Sequence, residues 1–484
     1  SVANARKTVI FTSLSITIIA VIIGAIGALL VASVIVNPVK KLEKHVAMIS
    51  GTKDKMKLAG KDIAISSNDE IASLGEKINE MTHGLVKAAE EEQLMMDGKS
   101  VQQAFLPLLP LGKGKMSISE FKGENLHFFG YYEGASLVSG DYFDYKMLDK
   151  KWFAVIKCDA SGHGVPAALI VTVVATFFRK YFENWSFDKN GTRIGEVVLQ
   201  INEFLATLGL QGKFAAICLC LINTQTSEVY VCNAGDNIVH IYDGEQKKMI
   251  VRQMFPNPAA GNMSAAFVRD VLMQELEFKV EKIQLKADDV LFLYTDGIEE
   301  STRFFRNSDF EIVACDEPNL KDGEVHLTHK KGEKSEQMEP ERVQNIIESV
   351  LNKRKYVLNR YHGPVADEKL EFDFTKCDGT IEEAIIALTA VEKVFRMYKK
   401  NDSKGTVEKT ELELEGKKKT VVQINGDGIK IDRKIDEFLS KYFNRYSYYC
   451  VNKVDMEEAN YVYYTGVSED VQADDLTLLA IKKI

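Results

Sequence analysis

Four acidic positions carry the chemistry open to this chain. Asp141 lies in S-G-D-Y-F-D, and Asp159 follows W-F-A-V-I-K-C and opens D-A-S-G-H-G. Asp296 follows V-L-F-L-Y-T and opens D-G, and Asp474 with Asp475 immediately precedes L-T-L-L-A-I. Each sits at the end of an apolar run, where a carboxylate is costly unless solvated or neutralised. Taken singly, any of them reads as a turn residue, since Asp-Gly is a common turn pair. Together they form the oxygen-donor set that hard cations such as Mg²⁺ and Mn²⁺ take, along with backbone carbonyls and water.

The elements that must position these residues are short. β-rich runs are expected at 126–132, 142–147, 152–158, 214–222, 228–232 and 290–294, and longer helical windows at 165–182 and 194–208. Strands cluster at both ends of a helical middle, which predicts an α+β fold rather than a regular βαβ alternation. Cys218 and Cys220 alternate with Leu219 and Leu221 on one strand and read as small core residues.

The 484 residues leave room for about three domains. A formal net charge of −9 argues against a nucleic-acid binder. The seven cysteines form no C-x-x-C pair and are odd in number, so a disulfide framework and a zinc site are disfavoured and a reducing compartment fits. The sequence opens on Ser1, which suggests a fragment or a processed chain.

Residues 8–39 carry no charge, far more than the roughly 20 residues a bilayer core requires. A transmembrane helix is expected at 8–36. Six lysines against two acids over 37–60 place the following residues on the cytoplasmic side by the positive-inside rule. Pro38 suits the first turn of a new helix. Val39, Leu42, Val46 and Ile49, then Ile71, Leu74, Ile78, Met81, Leu85 and Ala88, recur at spacings of three and four. Two such seams joined by a connector call for a parallel dimer forming a four-helix bundle. With N-D-E-I-A-S-L-G-E-K-I-N-E-M (from Asn68 to Met81) after Pro38, residues 37–90 resemble a HAMP signalling domain. A signalling linker helix is expected at 91–115, ended by Pro107 and Pro110.

The remainder, 116–484, resembles the metal-dependent protein phosphatases (PPM, protein phosphatase 2C-like) of the stage II sporulation protein E type. The motifs appear in family order: Q-Q-A-F-L-P, S-G-D-Y-F-D, D-A-S-G-H-G-V-P-A-A-L, N-A-G-D-N, D-D-V-L-F-L-Y-T-D-G-I-E-E and D-D-L-T-L-L-A. The resemblance implies an αββα β-sandwich flanked by helices with a binuclear Mn²⁺ or Mg²⁺ site. Asp141 and Asp159 would be shared ligands, the Ala160 carbonyl would contribute to one ion, and Asp296 and Asp474 would complete the set. A bridging water would attack phosphorus. Asp144 and Asp475 would be outer groups.

Three departures stand out. Asp236 occupies the place of a His in N-A-G-H, His163 is a substrate-side or a structural residue, and 178 residues separate Asp296 from Asp474. The extra material, about 303–431, is expected to be an inserted α+β lobe, dispensable for chemistry, with hairpin-turn chemistry at Asn425-Gly426 and Asp427-Gly428. The implied protein is a HAMP-regulated, homodimeric serine/threonine phosphatase in the bacterial inner membrane, its catalytic domain in the cytoplasm. Its substrate would be a phosphorylated STAS-type anti-sigma antagonist or similar signalling protein. The alternative is a catalytically inactive phosphatase-like receptor output that binds a partner.

Overall fold

The computed structural model describes every residue except 1, 53, 67–68, 112–113, 211, 308, 315–318, 323–324, 329–331, 363–364, 400–405, 415–416, 426–427, 451 and 456–459. Asn68, Cys315 and the turn residues Gly426 and Asp427 therefore lie outside the described residues. The chain divides into two compact units, Ser1–Gly98 and Lys99–Ile484.

In the first unit, helix α1 (Val2–Val31) runs through a π turn (Ala32–Val36) into α2 (Asn37–Gly51), with Pro38 in the first turn of α2. The helical run Arg6–Gly51 is long and apolar enough to cross a membrane by length and composition. Helix α3 (Glu70–Phe105) starts where the Asp69 carboxylate accepts the amides of Ile71 and Ala72. Asn79 ties the connector to α3, donating to the Ile63 carbonyl and accepting its amide, both at 2.9 Å. Ile49, Leu58 and Val86 form a small buried cluster. The other half of the seam is open: Val39 and Val46 on α2, and Leu74 and Met81 on α3, are all more than 40% exposed. Each exposed pair is seven residues apart, one heptad.

The linker differs from expectation. No separate helix spans 91–115, because α3 continues to Phe105 and ends before Pro107. Between residues 91 and 105 there is no proline and Gly98 is the single glycine, which costs only about 1 kcal/mol.

In the second unit, the strands are β1 (Ile118–Lys122), β2 (Leu126–Glu133), β3 (Asp141–Met147) and β4 (Trp152–Ala160), followed by helices α4 (Val165–Glu183) and α5 (Gly195–Thr207). Then come β5 (Ala215–Asn223), β6 (Glu228–Ala234), β7 (Ile238–Asp243), β8 (Lys248–Gln253), α6 (Ala265–Leu272), β9 (Glu281–Gln284) and β10 (Val290–Tyr294). After α7 (Glu339–Leu351), α8 (Ile381–Arg396) and α9 (Arg433–Tyr442), strand β11 (Leu476–Lys483) closes the fold.

Two antiparallel sheets result. One has the order β8-β7-β10-β11-β2-β1, the other β9-β6-β5-β4-β3. Alternation sorts the central strands between two cores. Leu291, Leu293, Leu479 and Ile481 face the five-stranded sheet, while Val290, Phe292, Leu478 and Ala480 face away from it. That is why β10 and β11 read as unbroken apolar runs: both of their faces are buried. Helix α4 packs on the five-stranded sheet through Ala167, Ile170, Val171, Val174, Ala175 and Phe178, at helical spacing. It is as apolar as a membrane span, yet it is a core helix.

Helix α8 packs on β2 and β11, and α7 packs on α8 and β8. The layers are therefore helix, sheet, sheet, helix. This corrects the reading of 303–431 as a dispensable insertion: α7 and α8 fall inside it and cover the outer face of the six-stranded sheet. What is additional is a set of antiparallel hairpins, Asn319–Asp322 with Val325–Thr328, Lys355–His362 with Val365–Asp373, and Thr406–Leu414 with Lys417–Asn425. A small sheet joins Gly428–Asp432, Tyr461–Thr465 and Asn452–Asp455. Among the described residues, Lys417–Asn425 pairs with Thr406–Leu414 and Gly428–Asp432 pairs with Tyr461–Thr465.

Helix α8 carries an unusual load. Glu392, Lys393 and Arg396 are at most 2% exposed. Arg396 donates to Glu392 and to the Asp470 carbonyl, and Lys393 donates to Glu133 at 2.8 Å. Glu392 also accepts from the Ser301 hydroxyl. Burial is the largest influence and would lower the Lys393 pKa, but the carboxylates of Glu133, Glu392 and Glu469 together outweigh it and the pKa rises.

Candidate active site

The sequence places carboxylates at strand ends, and the sheet registers bring those ends together. Asp141 opens β3 and stands directly opposite Asp159 near the end of β4. Asp296 begins the 3₁₀ turn that follows β10, and Asp474 and Asp475 precede β11, the strand paired with β10. Asp141 is 2% exposed. Its Oδ2 accepts two hydroxyls, from Thr295 and Thr477, each at 2.7 Å. These threonines sit on the six-stranded sheet, so one carboxylate oxygen bridges the two sheets.

The electrostatics are those of crowded like charges. Burial first, then the charges of Asp159 and Asp475, push the Asp141 pKa well above the carboxylate range. Burial, then the Asp296 charge, push Asp159 up to about 8, with Lys157 opposing. Asp474 is raised by burial, then by Asp475 and Asp296, while His163 pulls it down. Such a cluster favours either protons or a cation.

The remaining positions sort by their hydrogen bonds. Asp475 Oδ1 accepts the Ala135 amide and Oδ2 the Gly140 amide, both at 2.7 Å, so it clamps the loop ahead of Asp141. Asp144 pairs with Arg179 of α4 at 2.8 Å and with the Tyr142 hydroxyl, away from the cluster. The Ala160 carbonyl lies at the Gly140 loop, 3.0 Å from where a Cβ on Gly140 would stand. His163 is exposed, between Gly162 and Gly164. Gln102, near the end of α3, donates to the Ser139 carbonyl at 2.5 Å and accepts the Ser139 amide at 2.9 Å. The Ser139 hydroxyl in turn accepts the Asp141 amide.

Sequence reasoning missed Lys157. It is a buried cation two residues before Asp159, and its ammonium donates to Asp236 and to the Tyr294 carbonyl. Asp236, just past β6, is thus neutralised by a lysine of β4, two strands across the same sheet. The one available signal was a Lys within an otherwise apolar strand. Beside this pair a pocket opens, walled by Asp159, Asp296, His240, Tyr294 and Glu299. His240 stacks on Tyr294, and burial with the nearby Lys157 lowers its pKa to about 4, so it is neutral near pH 7.

In kind, the donors suit a hard divalent cation: oxygen only, mutually repelling and partly desolvated. In spacing, among the described residues no three His, Cys, Asp or Glu side chains close around a single point.

Gly297 holds the two halves close. A Cβ there would stand 2.1 Å from the Asp475 carbonyl oxygen. Gly297→Ala is expected to cost about 1–3 kcal/mol of stability through overpacking. By parting Asp296 from Asp474 it should also weaken Mn²⁺ binding at least about tenfold, equivalent to about 1.4 kcal/mol. Urea denaturation and calorimetric titration with Mn²⁺ check both.

The family model for stage II sporulation protein E matches residues 149–352. Over those residues the chain is similar to that family. The match takes in Asp159, Asp236 and Asp296 and runs through α7, into the segment first read as an insertion. Protein IcfG of Synechocystis sp. is 22% identical over 263 residues, 48% of this chain and 38% of that protein. The phosphoserine phosphatase RsbP of Bacillus subtilis is 24% identical over 176 residues, 36% of this chain and 39% of that protein. The chain thus spans under two fifths of the length of these relatives. Among solved structures, the SiaA-PP2C domain of Pseudomonas aeruginosa aligns with a TM-score of 0.40 at 12% identity, over 82% of this chain and 98% of that one.

Proposed function

We propose that this protein is a membrane-anchored serine/threonine phosphoprotein phosphatase, regulated through a HAMP-type helical pair and active as a homodimer. One observation carries the catalytic part: Asp141 and Asp159 face each other across adjacent strands, with Asp296 and Asp474 within electrostatic reach of Asp159. Asp141, Asp159, the Ala160 carbonyl, Asp296 and Asp474 would hold two Mn²⁺ or Mg²⁺ ions. When bound, the ions neutralise the cluster and supply an activated water for attack at phosphorus. The chain's own part is positional. Thr295 and Thr477 orient Asp141, Asp475 fixes the loop before it, and Lys157 holds the turn entering Asp296.

The membrane anchor is supported by the apolar helical run Arg6–Gly51. The homodimer is supported by the exposed heptad positions Val39, Val46, Leu74 and Met81, which a second copy would cover. Regulation is supported by Gln102 of α3, which is linked through Ser139 to the Asp141 amide. The relative named as a phosphoserine phosphatase favours a phosphoserine in a signalling protein, such as a STAS-type anti-sigma antagonist. The catalytic domain would face the cytoplasm of a bacterial inner membrane.

The test is turnover of a phosphoserine peptide by the full chain in detergent, with Mn²⁺, with Mg²⁺ and with chelator. Metal-dependent hydrolysis, lost on chelation and restored by Mn²⁺, is expected. Binding of phosphoprotein without turnover under all three conditions would instead select the inactive-output alternative.

A further inference from the structure

The cluster described above is acidic, while the group it would act on is a phosphate ester with a double negative charge. Ions whose charge is balanced by four carboxylates leave little surplus positive charge, so a protein cation at the mouth would strengthen the hold on a phosphoryl group. Lys157 cannot serve, because it is 4% exposed and its ammonium is committed to Asp236 and the Tyr294 carbonyl. Arg179 is committed to Asp144.

Lys213 is placed differently. It lies in the loop before β5, which is zipped to the turn following Asp159. The Ser161 amide donates to the Phe214 carbonyl at 2.9 Å, the Phe214 amide donates to the Ser161 hydroxyl at 2.9 Å, and that hydroxyl donates to the Gly212 carbonyl at 3.2 Å. The Lys213 ammonium is laid along this turn, donating to the Ser161 carbonyl at 3.2 Å. It stands 2.8 Å from where a Cβ on Gly162 would be. Gly162 is favoured by its φ of +83° and leaves the ammonium room to lie against the turn. The residue is half-buried, and among the described residues no carboxylate pairs with it. Two of its three ammonium protons have no protein acceptor among the described residues. The same turn carries the exposed His163, whose charge is felt at Asp474.

We propose that Lys213 is the phosphoryl-recognising cation of this site, binding the anionic oxygens of the substrate's phosphate ester and of product phosphate. The assignment rests on the phosphatase reading. Lys213 forms the lip of the turn whose other end is Asp159. Its bond to the Ser161 carbonyl holds the side chain against the turn in advance, so little rotamer freedom remains to be lost when the anion arrives.

The competing role is structural: the ammonium merely pins the turn. Three variants of the full chain in detergent separate the two. Lys213→Gln keeps a donor for the Ser161 carbonyl but loses the charge, Lys213→Arg keeps the charge, and Lys213→Ala loses both. The readouts are KM and kcat on a phosphoserine peptide, the inhibition constant of inorganic phosphate, and direct calorimetric binding of inorganic phosphate. Lys213→Gln should raise KM and weaken phosphate about tenfold or more, the usual worth of a hydrogen bond to a charged group, with kcat changed less than about threefold. Lys213→Arg should stay within about threefold of the parent, and Lys213→Ala should resemble Lys213→Gln. A Lys213→Gln variant that matches the parent while Lys213→Ala is impaired overturns the proposal in favour of the pin. If the parent hydrolyses nothing, the phosphatase reading fails, and phosphate calorimetry still decides: loss of binding in Lys213→Gln upholds the anion site, and no binding by the parent removes it.

Discussion

Replacing Asp159 with Asn is expected to abolish hydrolysis while making the metal-free protein more stable. The loss should reach about 10³-fold, the rate equivalent of about 4 kcal/mol. The gain in stability follows from the Asp159 carboxyl, whose pKa is raised from 3.8 to about 8 by burial and by Asp296. A carboxyl raised in the folded state favours folding most below its unfolded value. It loses that advantage as pH rises from about 4 through about 8. In chelator, the variant and the parent should therefore melt alike near pH 4, and the variant should melt higher at pH 8 and above. Adding Mn²⁺ should reverse the order, because binding to the folded state stabilises only a chain that retains its ligand. Melting curves at three pH values, with and without chelator, test this. Full Mn²⁺-dependent turnover by Asp159→Asn, or by Asp296→Asn, would remove these residues from the metal site.

The second large effect concerns α8. Arg396 is 1% exposed and lies between Glu392, on its own helix, and Glu469, which its Nη1 meets at 3.1 Å. Arg396→Met leaves buried Glu392 without its ion-pair partner and Glu469 with only Lys393, at 3.9 Å. Breaking a buried pair from one side costs about 3–5 kcal/mol, a large part of a typical domain's stability. The double change Glu392→Met with Arg396→Met should be milder, since it removes charge from both sides. Replacing 303–431 with a Gly/Ser bridge should be worse than either, because it strips α7 and α8 from the six-stranded sheet and leaves Val290, Phe292, Leu478 and Ala480 facing water. Urea midpoints rank the first two, and recovery of soluble protein reports the third. A soluble, cooperatively folding bridge variant would restore the view of this segment as an insertion.

Much of the catalytic half was legible because its strands are buried on both faces. Val290–Tyr294 was read to the residue, and Trp152–Ala160 to within two. The carboxylates were legible because a charge ending such a run is conspicuous. What escaped were charges whose meaning depends on partners far along the chain. Glu392, Lys393 and Arg396 look like the solvated face of a helix until Glu133, Ser301 and Asp470 are seen around them. Lys157 looks like a lapse in an apolar strand until Asp236 is brought beside it. A helix was expected over 91–115, but its continuity with the helix before it escaped for another reason: the apolar seam weakens there, yet no residue between 91 and 105 is strong enough to break a helix.

The position of β11 has a consequence for biosynthesis. Residues 476–483 form not an edge but an interior strand, inserted between β10 and β2. Asp475, just ahead of that strand, fastens the amides of Ala135 and Gly140, some 340 positions upstream. A ribosome therefore releases everything from Ala135 to Asp475 before the six-stranded sheet can close or the acidic cluster can assemble. Until then β2 and β10 each present an open edge, the condition that invites mispairing and chaperone capture. Such long-range closure folds slowly. It also means that a chain terminated ahead of Asp474 cannot bring Asp141, Asp159 and Asp296 together with their fourth carboxylate or fasten the Ala135–Gly140 loop.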